Sequence, residues 1–404
     1  MIAKFSGHAN FDSAKFSGEA NFIRAEFPGQ RADFHSAKFF GEATFSLARF
    51  SGEMANFSLA EFSGKANFGT AEFSGLANFR SAKFSGEIAE FYGATFNELA
   101  TFSSTVFTRE ANFTKADFEE EVKFIESIFP SPKTSANSPS NSASIELSSE
   151  DAEKNVIVDN KGSYVHIKDF QPTEQDFKDK PIPIKFDYST FRKRVQFVGE
   201  SEKEKPLQLG LVSFKGVDLS NAEFHNVEWQ KTKEMIFITR NIIVDEKVFR
   251  ENGNYEEVSK IYNQLRKNYE SKLLFNEASN FFIGEMEAIR KSLLNGPARQ
   301  KLSSVPYSLY KGLALYGESY FLPLIVWTPA TILLFLLLRH YLGICSVDPH
   351  SHCSIMDRIV DSFASYFQFP RSATNTFDSI ERIASIPILG TAFIAIRRKF
   401  ERIK

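Results

Sequence analysis

Cys345, His350, His352 and Cys353, with Asp348 among them, are the densest group of side chains capable of metal or thiol chemistry in the chain. Thiolates and imidazoles this close could hold a metal ion, but their spacing matches no zinc pattern. A disulfide between Cys345 and Cys353 suits an oxidising compartment better, and two unpaired side chains in a loop are the third option. His8, His35, His166 and His225 are scattered over repeat surfaces and loops. No Walker loop, His-Glu-x-x-His, Gly-x-Ser-x-Gly or dinucleotide fingerprint occurs. The chain therefore reads as non-enzymatic, with no cofactor.

The elements that carry these residues are set by phenylalanine. There are 44 Phe in 404 residues. From Phe5 to Phe129, 23 of them keep step, and the 22 intervals are eleven fives, eight sixes and three sevens, each five alternating with a longer step. Two residues before each Phe stands Ala in 20 of the 23 cases, the exceptions being Thr105, Val122 and Ser127. Steps of five and six would smear Phe around a helix, so a helix is excluded. Ala and Phe two apart share one face of a short extended segment, with the residue between them turned to solvent. Ser-Gly, Ser-Leu and Arg-Ser pairs separate the units, and Gly supplies backbone freedom for a turn. Stub and corner repeated make a solenoid with Phe and Ala columns inside.

These Ala-x-Phe units resemble the Phe-centred variety of the pentapeptide-repeat family. The resemblance implies a mainly β N-terminal domain, a right-handed quadrilateral β-helix with one unit per side, so that Phe5, Phe27, Phe50, Phe73, Phe96 and Phe118 stack as a structural core. The longer steps should gather at two opposite corners. Some members of the family mimic duplex DNA, but 17 Asp/Glu against 12 Lys/Arg in residues 1–130 is too mild an excess. A net charge of -2 overall gives no basis for expecting nucleic acid as a partner. The sequence starts inside the repeat, so either the reading frame is truncated or this end meets a partner.

Five segments follow from composition and period. The repeat fills 1–130. A Pro, Ser and Asn-rich linker or insertion covers 131–183. The Phe period returns over 184–230, at Phe186, Phe191, Phe197, Phe214, Leu219, Phe224 and Trp229, as a second short repeat segment. Apolar residues at three and four predict an amphipathic αα-hairpin over 254–295, with helices at about 255–271 and 274–294. That hairpin resembles the helical segment after the repeats in some bacterial membrane-associated pentapeptide proteins and, more loosely, a tetratricopeptide-type hairpin.

The last segment, 305–404, reads as a membrane domain. Residues 320–338 carry no charge over 19 positions, enough to cross a bilayer. A weaker second span lies at about 380–396, ended by Arg397, Arg398, Lys399, Arg402 and Lys404. Those basic residues place the C-terminus in the cytoplasm, and a hairpin leaves the repeat on the same side, at a bacterial inner membrane. Between the spans, Phe363, Tyr366, Phe367 and Phe369 mark a possible pore helix. The layout resembles the two-helix channel-like module of some pentapeptide-repeat membrane proteins, yet no Thr-Val-Gly-Tyr-Gly-like run is present. The expected function is a membrane-anchored scaffold that binds a protein partner; the alternative is a subunit of a homo-oligomeric channel-like pore with the β-helix as its cytoplasmic domain.

Overall fold

The computed structural model describes residues 3–130, 184–200, 205–235, 238–252, 254–344, 354–369 and 376–401. The insertion expected at 131–183 lies outside the described residues. Two compact units divide at Gln264 and Leu265.

The first unit is a parallel β-solenoid with four faces. In chain order a coil contributes Ala9–Asn10, Lys15–Phe16, Ala20–Asn21 and Glu26–Phe27, and these begin sheets of eight, five, seven and six strands. Coils pair in register, so Phe27 faces Phe50 and Ala32 faces Ala55. Seven strand spacings of about 4.8 Å make the eight-stranded face about 34 Å long. The strands Ile184–Lys185, Thr190–Phe191 and Val195–Val198 pair with Ala111–Asn112, Asp117–Phe118 and Val122–Ile125, so the returning repeat extends three of these same sheets.

Phe rings fill the interior. Phe5 stacks on Phe27 at 4.9 Å, and Phe27, Phe50, Phe73, Phe96 and Phe118 continue the column at 4.8 Å per step. Neighbouring columns meet edge to face, as Phe34 does with Phe45 at 5.3 Å and 85°. Each ring thus satisfies both favourable aromatic geometries at once. Where Ala is replaced, the hydroxyl finds an acceptor: Thr105 and Ser127 donate to the carbonyls of Phe79 and Phe102, both at 2.7 Å.

The corners correct the reading of glycine. Left-handed backbone occurs at the short corners, at residues such as Ser13, Arg24, Ser36, Leu47 and Leu59, and among the described residues glycine takes it there at Gly93 and Gly216. The preceding Asn stabilises these turns: Asn10 Oδ1 accepts from the Asp12 amide at 2.9 Å, and Asn21 from Ile23 at 3.0 Å. The central residue of a unit is therefore not simply turned to solvent, and Asn56 is buried. The longer steps do gather at two opposite corners, and the glycines there have no positive φ. A Cβ on Gly52 would lie 2.0 Å from the Gly29 carbonyl oxygen, so these glycines admit the backbone of the adjacent coil.

The far end is closed by a cap of which only the helix at about 255–271 is legible in the sequence pattern. Trp229 lies against Phe214 and Phe224. A hairpin of Gln230–Met235 and Ile238–Ile242 leads into α1 (Val244–Asn252) and α2 (Tyr255–Ser271). Arg240 is buried, forking onto Glu246 at 3.0 Å, reaching Glu234 at 2.7 Å and the Tyr262 hydroxyl at 2.9 Å. Burial pushes Asp245 up to about 7, although Ser213 and the Phe214 amide both donate to it.

Gly52→Ala is expected to destabilise the solenoid by about 2–4 kcal/mol, since backbone must shift. Leu47→Asn, at an exposed left-handed position, should change stability by about 0.5 kcal/mol or less, or raise it. Denaturant unfolding of the two variants separates close approach from torsional freedom as the role of the corner glycines.

Candidate functional site

The Cys and His cluster at 345, 350, 352 and 353 lies outside the described residues. Among the described residues no group of three or more His, Cys, Asp or Glu is placed to hold a metal ion. The chemistry that the second unit does bring together is ionic and is built on its helices.

After α3 (Phe275–Asn295) and α4 (Ala298–Ala314), a π-helical turn at Leu322–Trp327 runs into α5 (Thr328–Leu342). Thr328 donates to the Pro323 carbonyl at 2.8 Å, satisfying backbone that the prolines disturb. Ser354 and Asp357 form a capping box that starts α6 (Ile355–Tyr366). The last helix, α7, is Thr376–Glu401. Leu322–Leu342 and Thr376–Glu401 are both long and apolar enough to cross a membrane. The second runs through Pro387 and extends beyond both ends of the 380–396 read from sequence.

Burial in these helices is inverted. Met356 is 66% and Ile383 67% exposed, and Leu333, Leu337, Ile380 and Phe393 also face outward. Arg339, Glu381, Ser362 and Ser365 are 0% exposed. The sequence-predicted aromatics divide accordingly: Phe363 and Phe369 face outward, while Tyr366 is buried and its hydroxyl bonds Thr328 at 2.8 Å. Phe367 follows the last turn of α6 and packs against Phe363, the ring centroids 4.7 Å apart and the planes tilted by 46°.

Arg339 joins α5, α6 and α7. Its Nη2 bonds Asp378 and, at 2.8 Å, Glu381 Oε2; Nε approaches the same oxygen at 3.3 Å. Asp361 stands 3.9 Å from Nη1, Ser365 3.4 Å from Nη2, and the Phe377 ring 5.1 Å below the guanidinium. At the opposite ends of the two long helices, Arg398 bonds the Tyr316 carbonyl at 3.1 Å and Glu318 at 3.3 Å. The charge-free stretches between these levels are 17 residues (322–338) and 14 residues (383–396), about 26 and 21 Å of helix.

A third ionic centre sits on α3. Glu287 accepts from Arg290 at 2.6 Å, Tyr316 at 2.9 Å and Lys311 at 3.1 Å. Burial alone would raise this carboxyl, but Arg290 and Lys311 outweigh it and hold it at about 2. None of the three centres was read from sequence. The available signals were polar Asp361, Ser362 and Ser365 down one side of an apolar helix, and Asp378 and Glu381 one turn apart at the start of another.

Residues 3–49, 57–105 and 81–128 match the family model of pentapeptide repeats (9 copies), so the N-terminal solenoid is built of pentapeptide repeats. No curated protein and no solved structure matches the chain.

Arg339→Met should cost about 3–5 kcal/mol, because buried carboxylates lose their cation; adding Asp378→Asn and Glu381→Gln should recover most of it, read as unfolding temperature in detergent. Because Glu287 is held below its ordinary range, its contribution is complete above about pH 4.5 and is lost as pH falls toward 2. Glu287→Gln should remove about 3 kcal/mol at neutral pH and flatten the acid limb of a stability titration.

Proposed function

We propose that the chain is a non-enzymatic, membrane-anchored scaffold, with the pentapeptide-repeat solenoid on the cytoplasmic side of a bacterial inner membrane and Leu322–Leu342 and Thr376–Glu401 as its anchor. The observation that carries this reading is the inverted burial of the second unit. Water would drive Met356, Ile383, Leu337 and Phe393 inward, whereas lipid leaves them out and forces Arg339 and Glu381 in. Leu302, Val305 and Leu309 project from one side of α4, near Arg299 and Lys301, a pattern suited to the bilayer surface. The solenoid supplies the interaction module: flat faces of regular parallel strands, and one corner bearing exposed Ile23, Leu47, Tyr92 and Tyr188. The partner on this side is a protein.

The channel-like reading keeps one specific support. α6 packs against both long helices, and Tyr366 reaches back to Thr328, eleven residues before Arg339 on its helix. A chain that enters and leaves on one side in this way resembles a re-entrant pore helix. Flux through liposomes by a tetramer or larger oligomer would favour that reading, and a monomer or dimer without flux would favour the anchor.

Topology is testable with the two native cysteines. In reduced intact cells a membrane-impermeant maleimide should label Cys345 and Cys353, and should reach a cysteine placed at exposed Phe40 only after lysis. Labelling of both sites from outside, or release of the protein by alkaline carbonate, would overturn the proposed arrangement.

A further inference from the structure

The charges of α4 are set against its own dipole. Ala298–Ala314 contains no acidic residue, its N-cap is Pro297 with no side-chain hydrogen bond, and its first turn carries Arg299 and Lys301. The N-terminus of a helix is the positive end of the dipole and favours carboxylates, so two cations on that turn are repelled. Both side chains are exposed, and among the described residues neither forms an ion pair. Arg290 and Lys311, by contrast, are both engaged by Glu287. Leu302, Val305 and Leu309 are 72%, 47% and 61% exposed, while Ser304 and Ala314 on the other side of the helix are buried. At about 100° per residue the three apolar side chains fall within about 60° of arc, with Arg299 about 60° to one side and Lys301 about 40° to the other. Cations therefore flank an exposed apolar stripe on both sides.

The helix is held where the first apolar run begins. Leu315, Tyr316 and Gly317 are three successive left-handed residues that turn the chain from α4 toward Leu322. A Cβ on Gly317 would lie 2.2 Å from the Tyr310 hydroxyl, so this corner closes tightly on α4. Trp327 donates from Nε1 to the Gly312 carbonyl at 2.8 Å, fixing α4 to the first turns of the run. Tyr320 and Trp327 stay partly exposed, as aromatic side chains at a bilayer surface do. We propose that α4 is a binding surface for anionic phospholipid headgroups: Leu302, Val305 and Leu309 enter the acyl boundary, and Arg299 and Lys301 meet the phosphates on either side. An anionic headgroup supplies the negative charge that the helix N-terminus and its two cations lack. A zwitterionic headgroup carries its own ammonium and offsets them less. The proposal rests on the membrane-anchored reading for the level at which α4 is held, and goes beyond it in selecting the lipid.

The test uses the full-length chain carrying Cys345→Ser, Cys353→Ser and Val305→Cys, with an environment-sensitive fluorophore on the new thiol. It is reconstituted into vesicles of phosphatidylcholine alone or of phosphatidylcholine with phosphatidylglycerol. Phosphatidylglycerol should shift the emission to the blue and admit quenching by brominated acyl chains, and added salt should reverse the shift. Adding Arg299→Gln and Lys301→Gln should lower the ratio of shielded to exposed label about 30-fold in phosphatidylglycerol and leave it unchanged in phosphatidylcholine. Because both side chains are exposed and without ion pairs, that double substitution should keep the unfolding temperature in detergent. Equal emission in the two lipids overturns the proposal, as does a phosphatidylglycerol response that survives the double substitution. Shielding that rises with protein density at fixed lipid composition would assign the stripe to a second copy and overturn it equally. Alkaline carbonate reads the anchor separately: release of the protein overturns the membrane-anchored reading, whereas a retained protein whose label stays in water overturns this proposal alone.

Discussion

The spacing between hydrogen-bonded strands fixes the solenoid. Parallel strands lie about 4.8 Å apart, and a phenyl ring directly above another at that distance is held in stacking contact. The rings of Phe27 and Phe50 stand 4.8 Å apart with planes 3° from parallel. One Phe per face per coil fills most of the cross-section, leaving only methyl-sized space beside it. Ala two residues earlier fits that space, and Val122 closes it late in the repeat. Side chains that could not continue a column would force the coils apart and break the main-chain ladder, so the sequence period and the backbone period are one constraint.

How much could be read from the chain depends on how often each signal recurs. Ala-x-Phe is repeated coil after coil, so a solenoid with Phe and Ala inside was legible, and the four faces, the in-register columns and the opposed long corners followed from the family resemblance that the repeat carries. The corners were misjudged because sequence records residue types and not torsions. Ser-Gly looks like a flexible turn, while its glycine is there to let the Gly29 carbonyl approach Gly52. The Arg339 junction was not legible, since Asp361 and Glu381 lie 22 and 42 positions away. A hydropathy reading treats each of those charges as the end of an apolar run. The hairpin at 230–242 was missed for another reason. Gln-Lys-Thr-Lys-Glu-Met has no apolar alternation, and its pairing is imposed by the cap it builds.

The repeat solenoid and the helices α5, α6 and α7 follow opposite rules of burial. In the first, Phe and Ala are inside and charged residues line the faces in pairs such as Lys38 with Glu61 across adjacent coils. Such exposed pairs contribute little stability, and the rings carry the fold. In the second, an apolar exterior surrounds an Arg and its carboxylates. A single solvent does not favour both arrangements. The contrast is the physical reason for assigning water to one and lipid to the other, independently of helix length.

The ionic junction is not explained by stability alone. Replacing a buried ion pair by apolar residues of similar volume is often neutral or stabilising. Three apolar helices without Arg339 would pack on dispersion and would have many near-equivalent rotations about their axes. A guanidinium with donors directed to Asp378, Glu381 and Ser365 removes that freedom, because turning any helix by one residue leaves a charge unmatched in an apolar layer. The cluster thus specifies how α6 lies against its neighbours, with Tyr366 at Thr328.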